Sequence, residues 1–167
     1  TLPSGAVPRT IFIAVTAAAL MAIGAGVGQV IAQSGDAPAA KREALAETSK
    51  VIGAKGRTLG LSRVVIPPGA QLALHHHLGT QIARIHSGVL TYTVRDGSVT
   101  VRRGDAAADP EVVRTIKAGQ TGKLRAGEWI VEQQSTIHRA ANRGKQKVVI
   151  YLATLLKKGA PPSTPVD

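Results

Sequence analysis

Hydrophobic and polar positions change their rhythm twice along the chain. Residues 10–32 run for 23 positions without a charge, and Gln29 is the one strongly polar side chain among them. As a helix such a run reaches about 35 Å, enough to cross the hydrocarbon core of a bilayer. The pattern predicts a single transmembrane helix over 10–32 behind a short segment 1–9. The competing prediction is a cleaved secretory signal that starts at Arg9 and ends near Val30, Ile31 and Ala32. Signal cores run about 7 to 15 apolar residues, so the longer run favours a retained anchor. Gly24 and Gly28 lie four apart on one face of that helix, where small side chains let a second helix come close. An Ala- and Gly-rich stretch also yields such a pair by chance.

Residues 33–56 are polar and read as a linker, with a short helix over 38–47 that brings Lys41 and Arg42 near Glu43 and Glu47. From residue 57 the period shortens to two. Apolar, β-branched runs at 59–66, 71–77, 81–85, 89–94, 98–101, 112–116, 128–132, 137–141 and 147–155 are separated by Gly, Pro and Asp. Many short strands at regular spacing predict a sandwich or barrel over 57–156. Asp96-Gly97 marks a tight hairpin, and 103–111 a longer loop. The tail 157–167, with Pro161, Pro162 and Pro165, is expected to be disordered.

Composition narrows the chemistry. Aromatic residues make up 2% of the chain, so the core is aliphatic, and the absence of cysteine removes disulfides, thiolate metal sites and cysteine nucleophiles. The net charge of +11 falls entirely after residue 40, where 20 Lys and Arg face 9 Asp and Glu. Such a surface suits anionic lipid headgroups or an acidic protein partner, or is simply solvated. Nucleic acid is disfavoured, because the basic residues are scattered over the strands with no stacking aromatics between them.

The histidines hold the remaining signal. On a strand His75 and His77 share a face and His76 points the other way, so one pleat presents two imidazoles to a single metal ion. A third ligand must come from another strand; His138 lies in a run with inward character, whereas His86, just before Gly88, reads as a surface residue. Glu128 and Glu132 read as a solvated strand face, with a role as acceptors for a ligand imidazole the alternative. Trp129 reads as a packing residue.

Gly69, five residues, His75, one residue, His77, three residues, Gln81, six residues and Gly88 together resemble the first motif of the cupin family, with Gln81 where that family has Glu. The stretch from Gly127 through His138 to Asn142 resembles the second motif, departing from it at Gln133 and Ser135. The resemblance covers about residues 57–156. It implies an all-β, antiparallel jelly-roll barrel in which His75, His77, Gln81 and His138 converge on a divalent transition metal (Fe, Mn, Ni, Cu or Zn), and a barrel able to pair with a second copy. An amide at Gln81 binds more weakly than a carboxylate and cannot serve as a general base.

Two functional expectations follow. The first is a non-catalytic accessory or binding subunit, anchored in a bacterial inner membrane with its barrel in the periplasm and docked on a larger integral-membrane complex of respiratory or photosynthetic type. The missing carboxylate, the basic surface and the Gly24 and Gly28 face support it. The second is a metal-dependent enzyme, such as a three-histidine dioxygenase acting on a small molecule, and it rests on the intact histidines.

Overall fold

The computed structural model describes Gln29–Val30 as backbone and residues 38–166 in full. Thirteen strands follow in chain order: β1 Gln29–Val30, β2 Lys41–Thr48, β3 Arg57–Ile66, β4 Gln71–His76, β5 Gly79–Ser87, β6 Val89–Asp96, β7 Ser98–Arg103, β8 Glu111–Lys117, β9 Thr121–Arg125, β10 Glu128–Glu132, β11 Ile137–Ala141, β12 Val148–Lys157 and β13 Thr164–Pro165. They form two antiparallel sheets with the orders β1-β2-β3-β12-β5-β10-β7-β8 and β13-β4-β11-β6-β9.

Alternation explains what lies between the sheets. On β12, Val148, Ile150, Leu152, Thr154 and Leu156 point inward while Tyr151 and Ala153 point out. Ile66, Val94, Val101, Leu124, Ile130 and Val148 are fully buried and make an aliphatic floor to the barrel. Burying a side chain of this kind contributes about 1.5 to 3 kcal/mol. Two glycines set corners. Gly97 closes the β6–β7 hairpin with φ 82°. At Gly88 φ is 80° and a Cβ would lie 2.7 Å from the Lys147 carbonyl, so only glycine lets the chain turn this close to the start of β12.

Every run expected as a strand is one, and four strands lie outside those runs. The 10–32 helix falls almost wholly outside the described residues, as do Gly24 and Gly28. Its last part differs from expectation, because Gln29–Val30 pairs with Arg42 and Lys41 as strand β1. Among the described residues no helix is long and apolar enough to cross a membrane. The 33–56 linker also needs correction. Residues 41–48 have a helix-forming composition but take the extended form, pairing with β3 from Lys41 opposite Val65 to Thr48 opposite Leu59. The free ladder of β3 outweighs a propensity difference of tenths of a kcal/mol per residue, and Arg63 holds Glu43 across the pair at 2.6 Å.

The tail is ordered rather than disordered up to Val166. Thr164 and Pro165 lie opposite His76 and His75 on β4, and the Val166 amide donates to the Leu74 carbonyl at 3.0 Å. Proline is tolerated there because β13 is an edge strand. Strand β9 went unread because Leu124 is its one large apolar residue.

Candidate metal centre

Both sheets contribute to one buried cluster near the β4 end of the barrel. On the five-stranded sheet His75 and His138 are direct cross-strand partners, and His77 follows the end of β4. The ring centroids lie 4.4 Å apart for His75 and His138, 5.0 Å for His75 and His77, and 5.2 Å for His77 and His138. One ring nitrogen from each falls within 4.8 Å of the others. From the eight-stranded sheet come Gln81 and Glu132, again direct partners across β5 and β10.

Hydrogen bonds orient the imidazoles. Nδ1 of His75 lies 2.7 Å from the Ala73 carbonyl, Nδ1 of His77 2.7 Å from the Pro162 carbonyl, and Nδ1 of His138 3.3 Å from the Thr136 carbonyl. A carbonyl only accepts, so each Nδ1 carries the proton and each Nε2 presents a lone pair. His138 stacks on Tyr92 with centroids 4.9 Å apart and planes 19° from parallel.

Glu132 is where the structure departs most from the sequence reading. It is 2% exposed, inside the barrel instead of on a solvated face. The Tyr92 hydroxyl donates to its Oε1 at 2.8 Å and the Gln81 amide donates to its Oε2 at 2.6 Å. The same two oxygens stand 3.2 Å from His138 Nε2 and 3.3 Å from His77 Nε2. A carboxylate therefore does face the histidines, from β10 and not from position 81. Burial pushes its carboxyl up, but His138, His77 and the Tyr92 hydroxyl outweigh burial and hold it well below the usual carboxylate range.

Burial, then the neighbouring His138, pulls His75 down to about 4, and burial likewise lowers His138. Burial and Glu132 together raise the Tyr92 hydroxyl well above its ordinary value, so it stays a donor. Gln81 Nε2 lies 3.2 Å from His77 Nε2 as well as donating to Glu132, and Gln81 Oε1 is buried without a partner among the described residues.

Three Nε2 lone pairs and two carboxylate oxygens thus converge, with the Gln81 amide nitrogen and the Tyr92 hydroxyl as the donors among them. That set fits a divalent transition ion. His75, His77 and His138 would hold it, with Gln81 and Glu132 beside them.

The remaining site candidates are elsewhere. His76 points away and is half-buried under β13 rather than open to solvent. His86 is exposed and packs edge-on against Tyr151 at 5.5 Å. Trp129 lies on the outer face, with the Arg102 guanidinium 5.5 Å above its ring. Glu128 is fully buried, not solvated, and accepts from Arg103 at 2.8 Å, Arg114 at 2.7 Å and the Arg125 amide at 2.8 Å. Sequence reasoning missed Tyr92, although Leu90, Tyr92 and Val94 share the inward parity of β6.

The backbone is similar to that of a cupin 2 domain-containing protein from Halorhodospira halophila, with a TM-score of 0.50 and 12% identity over 77% of this chain and 70% of that one. The fold is a cupin jelly roll. A chain of the DMSP lyases RdDddP and RnDddQII is also similar, with a TM-score of 0.51 and 12% identity over 77% of this chain, which spans 53% of the lyase chain. A cupin-like protein from Thermotoga maritima has a TM-score of 0.49 and 16% identity, over 83% of this chain and 89% of its own. No protein-family model and no curated protein sequence matches the chain. At these identities the likeness is one of fold, and the chemistry of this cupin barrel has to be read from its own residues.

Proposed function

We propose that this chain is a metal-dependent cupin enzyme in which one divalent transition ion, Fe, Mn, Ni, Cu or Zn, sits on Nε2 of His75, His77 and His138. One observation carries the reading. With all three Nδ1 atoms committed to backbone carbonyls, the Nε2 lone pairs of His77 and His138 face the Glu132 carboxylate at 3.3 and 3.2 Å, acceptor against acceptor. Such a contact is repulsive unless a positive charge, either a proton on an imidazole or a metal ion, lies among the groups, and three imidazoles whose ring nitrogens fall within 4.8 Å of one another suit the ion.

When bound, the ion would act as a Lewis acid or redox centre for a coordinated small molecule. The chain supplies the rest. Glu132 is a carboxylate fixed at both oxygens, placed to accept a proton from a ligand at the histidines, and Tyr92 and Gln81 keep it oriented. The non-catalytic reading rested in part on a lost acid at position 81, beside the basic surface and the Gly24 and Gly28 face, and Glu132 removes the first of these reasons. A three-histidine dioxygenase is one member of the class supported.

Elemental analysis after loading with each ion is the test. We expect one metal per chain, and an ion at about 100 times its Kd adds about 2.7 kcal/mol of stability. In a chain of this size that is a rise in Tm of about 5 to 10 °C. Sub-stoichiometric metal with an unchanged Tm for all five ions would reject the reading.

Docking of the barrel on a membrane remains a second proposal, and the outer face of the larger sheet supports it. Leu61, Ala153 and Ile82 form one cross-strand row, with Leu61 42% and Ile82 44% exposed. The adjacent row reads Arg63, Tyr151, Arg84, Trp129 and Arg102. An apolar row beside cations and amphipathic rings suits an anionic bilayer surface. Co-sedimentation of residues 38–167 with phosphatidylglycerol vesicles, but not with phosphatidylcholine vesicles, is the expected result; equal recovery from both would refute it.

A further inference from the structure

The connection between β2 and β3, residues 49–56, carries the most exposed large apolar side chain among the described residues. Ile52 is 102% exposed, whereas the other exposed large aliphatics lie between 40% and 60%. Two hydrogen-bonded turns fix it there. The Ala54 amide donates to the Val51 carbonyl at 3.3 Å, and the Arg57 amide to the Ala54 carbonyl at 3.2 Å. Gly53, with φ 79°, takes the left-handed conformation at the third position of the first turn, which leaves Ile52 at its corner.

Cations surround this tip. Lys50, Lys55 and Lys158 are exposed and line one open depression with Val51 and Ile52. The Lys158 amide donates to the Gly56 carbonyl at 2.9 Å, so the chain leaving β12 brings its lysine to the loop. The segments that build the tip carry no acid, because the sequence has none between Glu47 and Asp96 or between Glu132 and Asp167. Glu47 itself lies on β2 opposite Gly60, outside the loop. The loop also sits at the histidine end of the barrel. Arg57 Nη1 at 3.3 Å and the Lys157 amide at 2.8 Å both donate to the carbonyl of Leu78, the neighbour of His77.

We infer that this loop is a membrane-docking tip: Ile52 enters an anionic bilayer surface while Lys50, Lys55 and Lys158 settle on its phosphate headgroups. Moving one isoleucine out of water favours the bound state by about 10- to 100-fold, and each lysine near an anionic surface by about fivefold. An apolar point within a ring of lysines matches charged headgroups lying over hydrocarbon. A protein partner fits less well. Stable protein interfaces bury about 800 Å² on each side and are depleted in lysine, whereas the tip offers one isoleucine, a half-buried valine and lysines. Docking here turns the histidine end of the barrel toward the bilayer. The inference shares its partner with the membrane-docking reading but stands on this loop and not on the Leu61 and Ile82 row, so the two can fail separately.

The chain has no cysteine, so Ile52→Cys, Ile82→Cys and Val89→Cys each create one site for an environment-sensitive nitrobenzoxadiazole label, on the tip, the larger sheet and the smaller sheet. The whole chain is mixed with phosphatidylglycerol or phosphatidylcholine vesicles that contain doxyl-labelled lipid, so attachment through residues 10–32 is common to all samples. With phosphatidylglycerol the label at 52 should shift to the blue and be quenched, while the label at 89 stays in water. The ratio of inserted to free label at 52 should be at least about tenfold lower with phosphatidylcholine. It should fall as far with phosphatidylglycerol in the Lys50→Gln, Lys55→Gln, Lys158→Gln triple variant, with Tm unchanged. A label at 52 that stays in water with phosphatidylglycerol would overturn the inference. Quenching at 82 alone would then place the bilayer on the sheet face, and quenching at neither position would end both readings. Equal insertion into the two lipids, or insertion untouched by the triple variant, would overturn it as well. A blue shift at 52 that grows with protein concentration in the absence of vesicles would assign the tip to a second copy of the chain instead.

Discussion

Gln81 and Glu132 stand directly opposite each other on β5 and β10, and the amide of the first donates to the carboxylate of the second at 2.6 Å. The acid of the site therefore sits one strand away from position 81, and the amide holds it in place.

Glu132→Gln removes that acid without changing shape. It should weaken metal binding by about 10- to 100-fold, the range found when groups supporting a metal's ligands are lost. Gln81→Glu is the informative partner, since it sets two carboxylates face to face in a buried place. The metal-free variant should lose about 1 to 3 kcal/mol of stability and regain it on loading with an ion. Melts with and without metal check both variants; a metal-free Gln81→Glu protein as stable as wild type would refute the assigned geometry.

Acid should destabilise the metal-free barrel before it titrates ordinary carboxylates. Burial, followed by His138, holds His75 down at about 4, against about 6.5 in an unfolded chain. Between those values the unfolded state binds the proton and the folded state does not, so stability is full above about pH 6.5 and is lost as pH falls toward 4. The His138 shift has the same sign, and the lowered Glu132 adds to the loss below its ordinary range. From pH 7.5 to 4.5 urea denaturation should show a loss of about 2 to 3 kcal/mol from His75 alone. Stability that is flat or rises over this interval would contradict a buried His75 held neutral.

Much of this was legible in the residues, and the gaps have physical causes. Period-two runs identified the barrel strands, and the spacing of His75, His77 and His138 identified the cluster. Glu128, Ile130 and Glu132 share one face of β10, and Ile130 is fully buried, so the parity that buries it buries both acids. Trp129 and Val131 give the opposite face an apolar look of its own, which hid the direction of that parity. Strands β2 and β13 were illegible for another reason. Their local preferences favour helix and disorder, and only the open edges of β3 and β4, which are tertiary features, recruit them.

Glu128 is expected to matter for stability alone. Its carboxylate is fully buried under Arg103, Arg114 and the Arg125 amide, away from the histidines. Hydrogen bonds to a charged group are worth about 1.5 to 3 kcal/mol each, and glutamine keeps the shape but forfeits the charge. Glu128→Gln should therefore lower stability by about 2 kcal/mol, a drop in Tm of about 4 to 8 °C, with metal content unchanged. A metal-binding defect at full stability would mean that Glu128 belongs to the site.

The tail offers the most direct test of how the centre is closed. Pro162 supplies the carbonyl that fixes His77, and β13 lies along His75 and His76. Removing 161–167 deletes that carbonyl and uncovers one side of β4, but leaves the aliphatic floor of Ile66, Ile130 and Val148 intact. The shortened protein should fold, with a modest fall in Tm. A free His77 ring can rotate its Nε2 away, and the uncovered strand admits water, so a bound ion should pass to a chelator at least about tenfold faster, in line with the cost of losing a group that orients a ligand histidine. Circular dichroism establishes the fold and stopped-flow chelation measures the release. Release at the wild-type rate from a folded, shortened protein would show that β13 neither orients His77 nor shields the site.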